Sequence, residues 1–326
     1  MLGKLFFLQF RILKRNGMNS DYSFPSSTPK ISVLVPVYND IDRVGLCIEK
    51  LQAIDYPASC YEVIIIDNGS TDGTYEYLQQ LMEGIASDTF RLLQCLTPGS
   101  YAARNKGLQV ASGEYVAFTD SDCLVSTEWL TNLLRCAAQQ HGDVIVAGKV
   151  SFFSDASKQT QQSALDFENM FSMKQDQNAN SGKCITANLF CSMSLIKKHK
   201  GFNEKLKSGG DVEFSQRVVN SGGKIIYSEK SEVFHPSRNK SELLIKRRRV
   251  VGGTWDAELS KAGFKEKLRF CVGLVKMFLG RTKKTCLHSG LSIKRKISLV
   301  WLLLLIFLTS LSEFTKLQLG KEANRA

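Results

Sequence analysis

The sequence predicts an α/β domain built on a mainly parallel central sheet with helices on both faces. Two observations carry this. Four apolar, β-branched runs stand at 31–37 (ISVLVPV), 61–68 (YEVIIIDN), 90–96 (FRLLQCL) and 114–120 (EYVAFTD), with helical stretches between them. Strands that are apolar without alternation belong to sheets covered on both sides. Polar punctuation follows the first, second and fourth runs as PVYND, DNGSTDGT and TDSDC. In open α/β sheets ligands bind beyond the carboxyl ends of the strands. A sheet needs turns at that edge, but it does not need so many acids there.

Taken in chain order, residues 1–17 open with MLGKLFFLQFRILKR. At 100° per residue Lys4, Arg11, Lys14 and Arg15 share one sector, and Leu2, Leu5, Phe6, Phe10, Ile12 and Leu13 the opposite one. This is a basic amphipathic helix, suited to a membrane surface or to packing on its own domain. Arg11 interrupts the apolar run and no small-residue cleavage site follows, which argues against a secretory signal. Residues 18–30 are rich in Ser and Pro and read as a linker to a domain at 31–237. Helices are expected near 41–53, from about Gly73, and over 100–112.

The C-terminal quarter is different. The formal net charge is +12, yet residues 238–326 hold 20 Lys and Arg against 6 Asp and Glu, while the rest of the chain holds 23 against 25. Residues 238–296 therefore read as a basic helical tail, and 297–316 as a hydrophobic helix associated with a membrane. The uncharged stretch 297–312 covers about 24 Å as helix, short of a hydrocarbon core of about 30 Å. It spans with local thinning, dips into one leaflet, or lies in the interface. The basic flank KKTCLHSGLSIKRK places that side in the cytoplasm. Nucleic acid is not expected as a partner, because no interleaved aromatic-basic pattern, zinc finger or recognition helix is present. Nine irregularly spaced cysteines without a CxxC pair argue against a disulfide scaffold or structural zinc and for a reducing compartment.

Asp120-Ser121-Asp122 poses the sharpest question. Carboxylates this close repel, and each raises the proton affinity of the other. They bind a cation, take part in chemistry, or sit solvated in a turn. The chain has neither a GxGxxG nor a GxxxxGK[ST] loop, so no glycine loop holds phosphate. A divalent cation on Asp120 and Asp122 would bridge to phosphate instead.

ISVLVPVYND, VIIIDNGSTDGT, GSYAARNKGLQVASGEYVAFTDSD and GFNEKLKSGGDVEFSQRV, in that order over residues 31–235, resemble the family 2 glycosyltransferases of GT-A fold. The resemblance implies an inverting transfer from a nucleotide-diphosphate sugar, by default a UDP-sugar, to a glycan or lipid-linked acceptor. It implies that Pro36, Tyr38 and Asn39 line the base pocket and that Asp67 bonds the base or ribose. Arg104 and Asn105 would approach the nucleotide. Asp120 would serve the ribose and the metal shell, and Asp122 would coordinate Mg²⁺ or Mn²⁺. His235 is a further metal ligand or a hydrogen-bonded histidine before Pro236. Asp211 matches the general base, although Gly210 stands where the family has Glu. Glu213 would bind acceptor or cap its helix, and residues 182–204 match the acceptor-side segment. The setting implied is cell-surface polysaccharide or glycolipid assembly. Two other classes compete. A non-catalytic GT-A-like module on a membrane would have no use for Asp122 and Asp211. A haloacid dehalogenase-like phosphatase would have its D-x-D at the start of the domain and a small hydroxyl residue where Leu124 stands.

Overall fold

The computed structural model describes residues 28–320, except 86–88, 156–159, 207 and the side chain of 257. The helix expected at 1–17 and most of the linker at 18–30 lie outside the described residues.

Eight strands form one sheet: β1 (Ile31–Val37), β2 (Tyr61–Asp67), β3 (Phe90–Gln94), β4 (Tyr115–Phe118), β5 (Leu124–Val125), β6 (Val144–Phe153), β7 (Leu189–Ser192) and β8 (Lys224–Pro236). Their order is β3-β2-β1-β4-β7-β6-β8-β5. The first four are parallel, with Ile31 opposite both Tyr61 and Tyr115. β7 runs antiparallel between β4 and β6, and β8 is parallel to β6. The four strands read from the sequence are present, each shorter at its carboxyl end or unchanged. Helices α1 (Val44–Gln52), α2 (Thr74–Gly84) and α3 (Ser100–Val110) fall where the pattern puts them.

β1 and β2 are buried at every position, which is why their apolar runs do not alternate. Successive side chains still part to opposite faces. Val33 and Val35 join Ile48, Leu51, Leu78 and Trp129 in a core under α1, α2 and α4 (Trp129–Ala138). Leu34 joins Ile64, Phe118 and Phe214 in a second core on the other face. The helices after α4 are α5 (Gln162–Phe171), α6 (Gln175–Asn180), α7 (Met193–Lys198) and α8 (Gly210–Asn220). α3, α7 and α8 cover the second face.

Asn188, just before β7, ties together β6, β8 and α4. Its amide donates to the carbonyls of Lys149 and Ser231, each at 2.9 Å, and accepts from the Trp129 indole at 2.9 Å. Gly148 is required opposite it, since a Cβ there would lie 2.3 Å from the amide nitrogen. At this point the β6–β8 pairing shifts register.

Three helices end the chain: α9 (Lys240–Thr254), α10 (Phe264–Leu287) and α11 (Ile293–Gln318). α9 starts with a capping box between Asn239 and Glu242. The sequence pattern sets this region apart from the domain, but the structure docks it. Leu299, Leu302, Leu303 and Ile306 of α11 pack on Phe167, Met170 and Leu243. Farther along, Phe314 and Leu317 pack on Val251 and Leu259. Arg295 clamps buried Asp166 of α5 at 2.5 and 3.1 Å. One face of α11 is therefore bound to the protein along its length.

Candidate active site

The polar loops after β1, β2 and β4 are stitched together at one edge of the sheet. Asn39, at φ 48°, accepts from the Thr71 N–H at 2.8 Å, and its own N–H donates to Ser70 Oγ at 2.9 Å. Asn is among the few residues that tolerate this left-handed backbone. Ser121 Oγ donates to buried Asp40 at 2.5 Å, which joins the D-x-D turn to the loop after β1. Pro36 is buried in β1, and Tyr38 stands exposed at the rim. Asp67 is buried at the end of β2. Its Oδ2 accepts from the N–H groups of Gly69 and Ser70, and its Oδ1 has no partner among the described residues.

Counter-charges explain how the two aspartates coexist. Arg104, buried rather than on a solvated helix face, donates to Asp120 Oδ1 at 2.6 Å. Arg43 lies 3.5 Å from Asp122 Oδ2 and also grips Asp40 at 2.5 Å. The acids differ in proton affinity. Burial and then the charge of Asp122 push the Asp120 carboxyl up, against the pull of Arg104. Burial also acts on Asp122, but His235, Arg43 and Arg238 outweigh it and hold this carboxyl below the usual range.

His235 completes a cluster. One ligand atom each from Asp120, Asp122 and His235 lie within 4.8 Å of one another. The backbone brings them together. β5 follows the D-x-D turn directly and pairs Leu124 with Phe234, the neighbour of His235 on β8. His235 Nδ1 lies 2.7 Å from the Pro236 carbonyl. A carbonyl only accepts, so Nδ1 donates to it, and Nε2, 3.7 Å from Asp122 Oδ1, is the ring atom turned toward the carboxylates. The ring is thus hydrogen-bonded beside Pro236, as one alternative has it, and also stands among the two carboxylates. Two carboxylates and one imidazole form a donor set that a divalent cation could use.

Asp211 lies in the first turn of α8. Its Oδ1 accepts from its neighbour's N–H at 2.9 Å and from the Tyr101 hydroxyl at 3.2 Å, and its Oδ2 from the Thr186 N–H at 3.4 Å. Tyr101 occupies the room that Gly210 leaves: a Cβ on residue 210 would lie 2.7 Å from the ring. Burial and then the Asp211 charge push the phenol up to about 12, so it stays a donor.

Two expected contacts are committed elsewhere. Asn105 bonds Phe202 through both its amide nitrogen and its oxygen, and reaches Glu204 at 2.8 Å, so its side chain is engaged in holding residues 202–204. Glu213 holds Arg217 at 2.9 and 3.0 Å, and Arg217 in turn braces the carbonyls of His199 and Gly201. Four groups escaped the sequence reading. Tyr101 left one signal, the missing side chain at Gly210. Arg43, Lys246 and Arg249 line a cleft of about 310 Å³ with Asp122 and His235. Their basic character was legible, but not the turn of the chain that folds α9 back over the site.

Comparison with known proteins shows the family and the fold. The model of "Glycosyl transferase family 2" matches residues 32–200. The glycosyltransferase AglE of Haloferax volcanii is 34% identical over 229 residues, 70% of this chain and 74% of that protein. A poly(ribitol-phosphate) beta-glucosyltransferase of Bacillus spizizenii is 30% identical over 115 residues, 35% of this chain and 18% of that protein. Among solved structures, the mannosyltransferase PcManGT of Pyrobaculum calidifontis, in complex with GDP-Man and Mn²⁺, superposes with a TM-score of 0.59. It is 18% identical, covering 98% of this chain and 95% of that one. This likeness establishes the shared fold.

Proposed function

The chain belongs to glycosyl transferase family 2, and from that premise we propose an inverting enzyme that moves a hexose from a nucleotide-diphosphate sugar to a hydroxyl of a glycan or lipid-linked acceptor in surface glycan assembly. The observation that carries this is the Asp120–Asp122–His235 cluster with Asp211 close enough for its charge to act on Asp120. Asp120, Asp122 and His235 would hold Mn²⁺ or Mg²⁺, which when bound offsets the charge of the departing diphosphate. Arg43, Arg238, Lys246 and Arg249 add a positive wall to the same cleft. The unpartnered Oδ1 of Asp67 is an acceptor suited to an N–H or hydroxyl of the nucleoside. Asp211, held by Tyr101, takes the proton of the acceptor hydroxyl as it attacks the anomeric carbon. The PcManGT complex with GDP-Man and Mn²⁺ supports this donor class and metal. UDP-sugars are the first donors to try.

A melting-temperature screen of nucleotide sugars with Mn²⁺ tests the reading. One donor should raise the melting temperature by several degrees, and EDTA should remove the rise. No shift with any donor would sink it. Binding without transfer or hydrolysis would leave the non-catalytic module.

The C-terminal layer supports attachment to the cytoplasmic face of a membrane. Phe264, Leu268, Val272, Val275 and Leu279 form an exposed stripe on α10, and Ile297, Trp301 and Leu308 another on α11. Because the opposite face of α11 is packed on the protein, this helix lies in the membrane surface instead of crossing it. Removing residues 297–326 would uncover the core under Leu299 and Leu302, so substitution is the cleaner probe. Leu279→Glu with Trp301→Glu should cut sedimentation with anionic vesicles at least tenfold and leave the melting temperature within a few degrees. Unchanged sedimentation would place the anchor elsewhere.

A further inference from the structure

α9 separates two cavities. On one side lies the catalytic cleft. On the other, Lys246, Arg247, Arg281, Phe167, Phe171 and Ile306 line a second cavity, closed by α5, α10 and α11. Lys246 borders both.

The arginines of the second cavity stand without an ion pair among the described residues. Arg281 lies over the rings of Phe171 and Phe167, 5.3 and 5.5 Å from their centroids. Arg247 donates through Nε to Ser310 Oγ at 2.6 Å. Among the described residues neither has a carboxylate within ion-pair reach, and neither does Lys246. Of the acids of α5, Asp166 is paired with Arg295 and Glu168 with Arg238, and Glu168 offsets only part of the effect of burial and Arg238 on Lys246. The cations also act against one another. Burial and then Arg281 pull Arg247 down to about 10, and burial and then Arg238 pull Lys246 down to about 8. Converging, partly buried cations without a counter-ion are costly, and an anion seated among them removes the cost.

The rest of the lining says what kind of anion. A free phosphate or a nucleotide has no use for Phe167, Phe171 and Ile306. Phe171, Met173 and Arg281 also border a neighbouring cleft, where Met170 adds apolar surface and Lys174 and Lys284 add two more cations beside Gln177 and Asn178. α10 and α11, which bound this region, carry the exposed apolar stripes. We propose that Arg247 and Arg281 bind the phosphate of a lipid-linked acceptor, with its hydrocarbon chain against Phe167, Phe171 and Ile306 and its sugar-bearing end passing Lys246 into the catalytic cleft. This rests on the transferase reading and names the acceptor class for it: a long-chain alkyl or isoprenoid phosphate.

The test uses the full chain in detergent and three probes: farnesyl phosphate, farnesol and inorganic phosphate, titrated by calorimetry. Farnesyl phosphate should saturate one site at least tenfold more tightly than inorganic phosphate, and farnesol should not saturate it. Arg281→Gln, which removes only ring contacts, and Arg247→Gln should each weaken farnesyl phosphate at least tenfold while the donor-dependent melting shift with Mn²⁺ persists. Equal binding of inorganic phosphate, equal binding of farnesol, or variants that bind like wild type would overturn the proposal. If Arg247→Gln fails to fold, Arg281→Gln decides alone. Loss of the donor shift in the wild-type chain, with farnesyl phosphate still bound, would instead overturn the transferase reading.

Discussion

Asp122→Ala is expected to reduce sugar transfer roughly 10³-fold, the size of loss seen when a preorganised electrostatic contact to developing charge is removed. Asp122 is the acid of the pair whose carboxyl is held ionised, by His235, Arg43 and Arg238. Without it the cluster retains one carboxylate, itself bound to Arg104, and one imidazole. Two donors of that kind hold a hard cation poorly. The fold should survive, because Arg43 keeps its ion pair with Asp40 and the turn keeps the Ser121 bond. Initial rates against Mn²⁺ concentration, with melting temperature as the control, check this. A variant that keeps a tenth of wild-type activity at saturating Mn²⁺ would remove Asp122 from the metal site.

Asp211→Asn should cost about as much, roughly 10²- to 10⁴-fold in transfer, the range for a positioned general base. Donor binding should be spared, since no cluster residue touches Asp211 directly. Tyr101→Phe separates positioning from packing. The ring stays to fill the room beside Gly210, and only the hydroxyl that bonds Asp211 is lost. The carboxylate then keeps the Val212 and Thr186 N–H groups but loses its side-chain partner. Transfer should fall several-fold in kcat with the donor KM and the melting temperature unchanged. If Asp211→Asn transfers sugar at near wild-type rate, the base lies elsewhere. If Tyr101→Phe leaves kcat unchanged, the hydroxyl does not position Asp211.

Legibility in the sequence followed the range of the interactions. β1 and β2 were readable because burial on both faces leaves an unbroken apolar run, a purely local signal. β6 opens on the apolar run VIVAG but passes into Lys149 and Ser151, and β7 is only four residues long, so neither presents an unbroken run of that length. Asp120 and Asp122 stood out because they are adjacent, and Asp211 because its motif is compact. The roles of Arg43 and Arg104 as counter-charges depend on which loops meet, and Asn105 read as a ligand contact because nothing local reveals the Phe202 groups that occupy it; the Arg217 partner of Glu213, four residues on in the same helix, was legible in the sequence. In the C-terminal quarter, charge and hydropathy were plain, but the docking of α11 on α5 is a fact of packing alone.

The two-residue strand β5 has a consequence for biosynthesis. It joins Asp122 to a histidine more than a hundred residues later in the chain, and that closure is made only when β8 has entered the sheet. A nascent chain that has emerged through β4 carries the D-x-D turn but not its third donor. Domains form from the N-terminus as synthesis proceeds, and contacts distant in sequence come last. The Asp120–Asp122–His235 cluster is therefore assembled at a late stage of folding, after the loops that follow β1 and β2. An incomplete chain cannot gather its three donor groups, which come together only when β8 has joined the sheet.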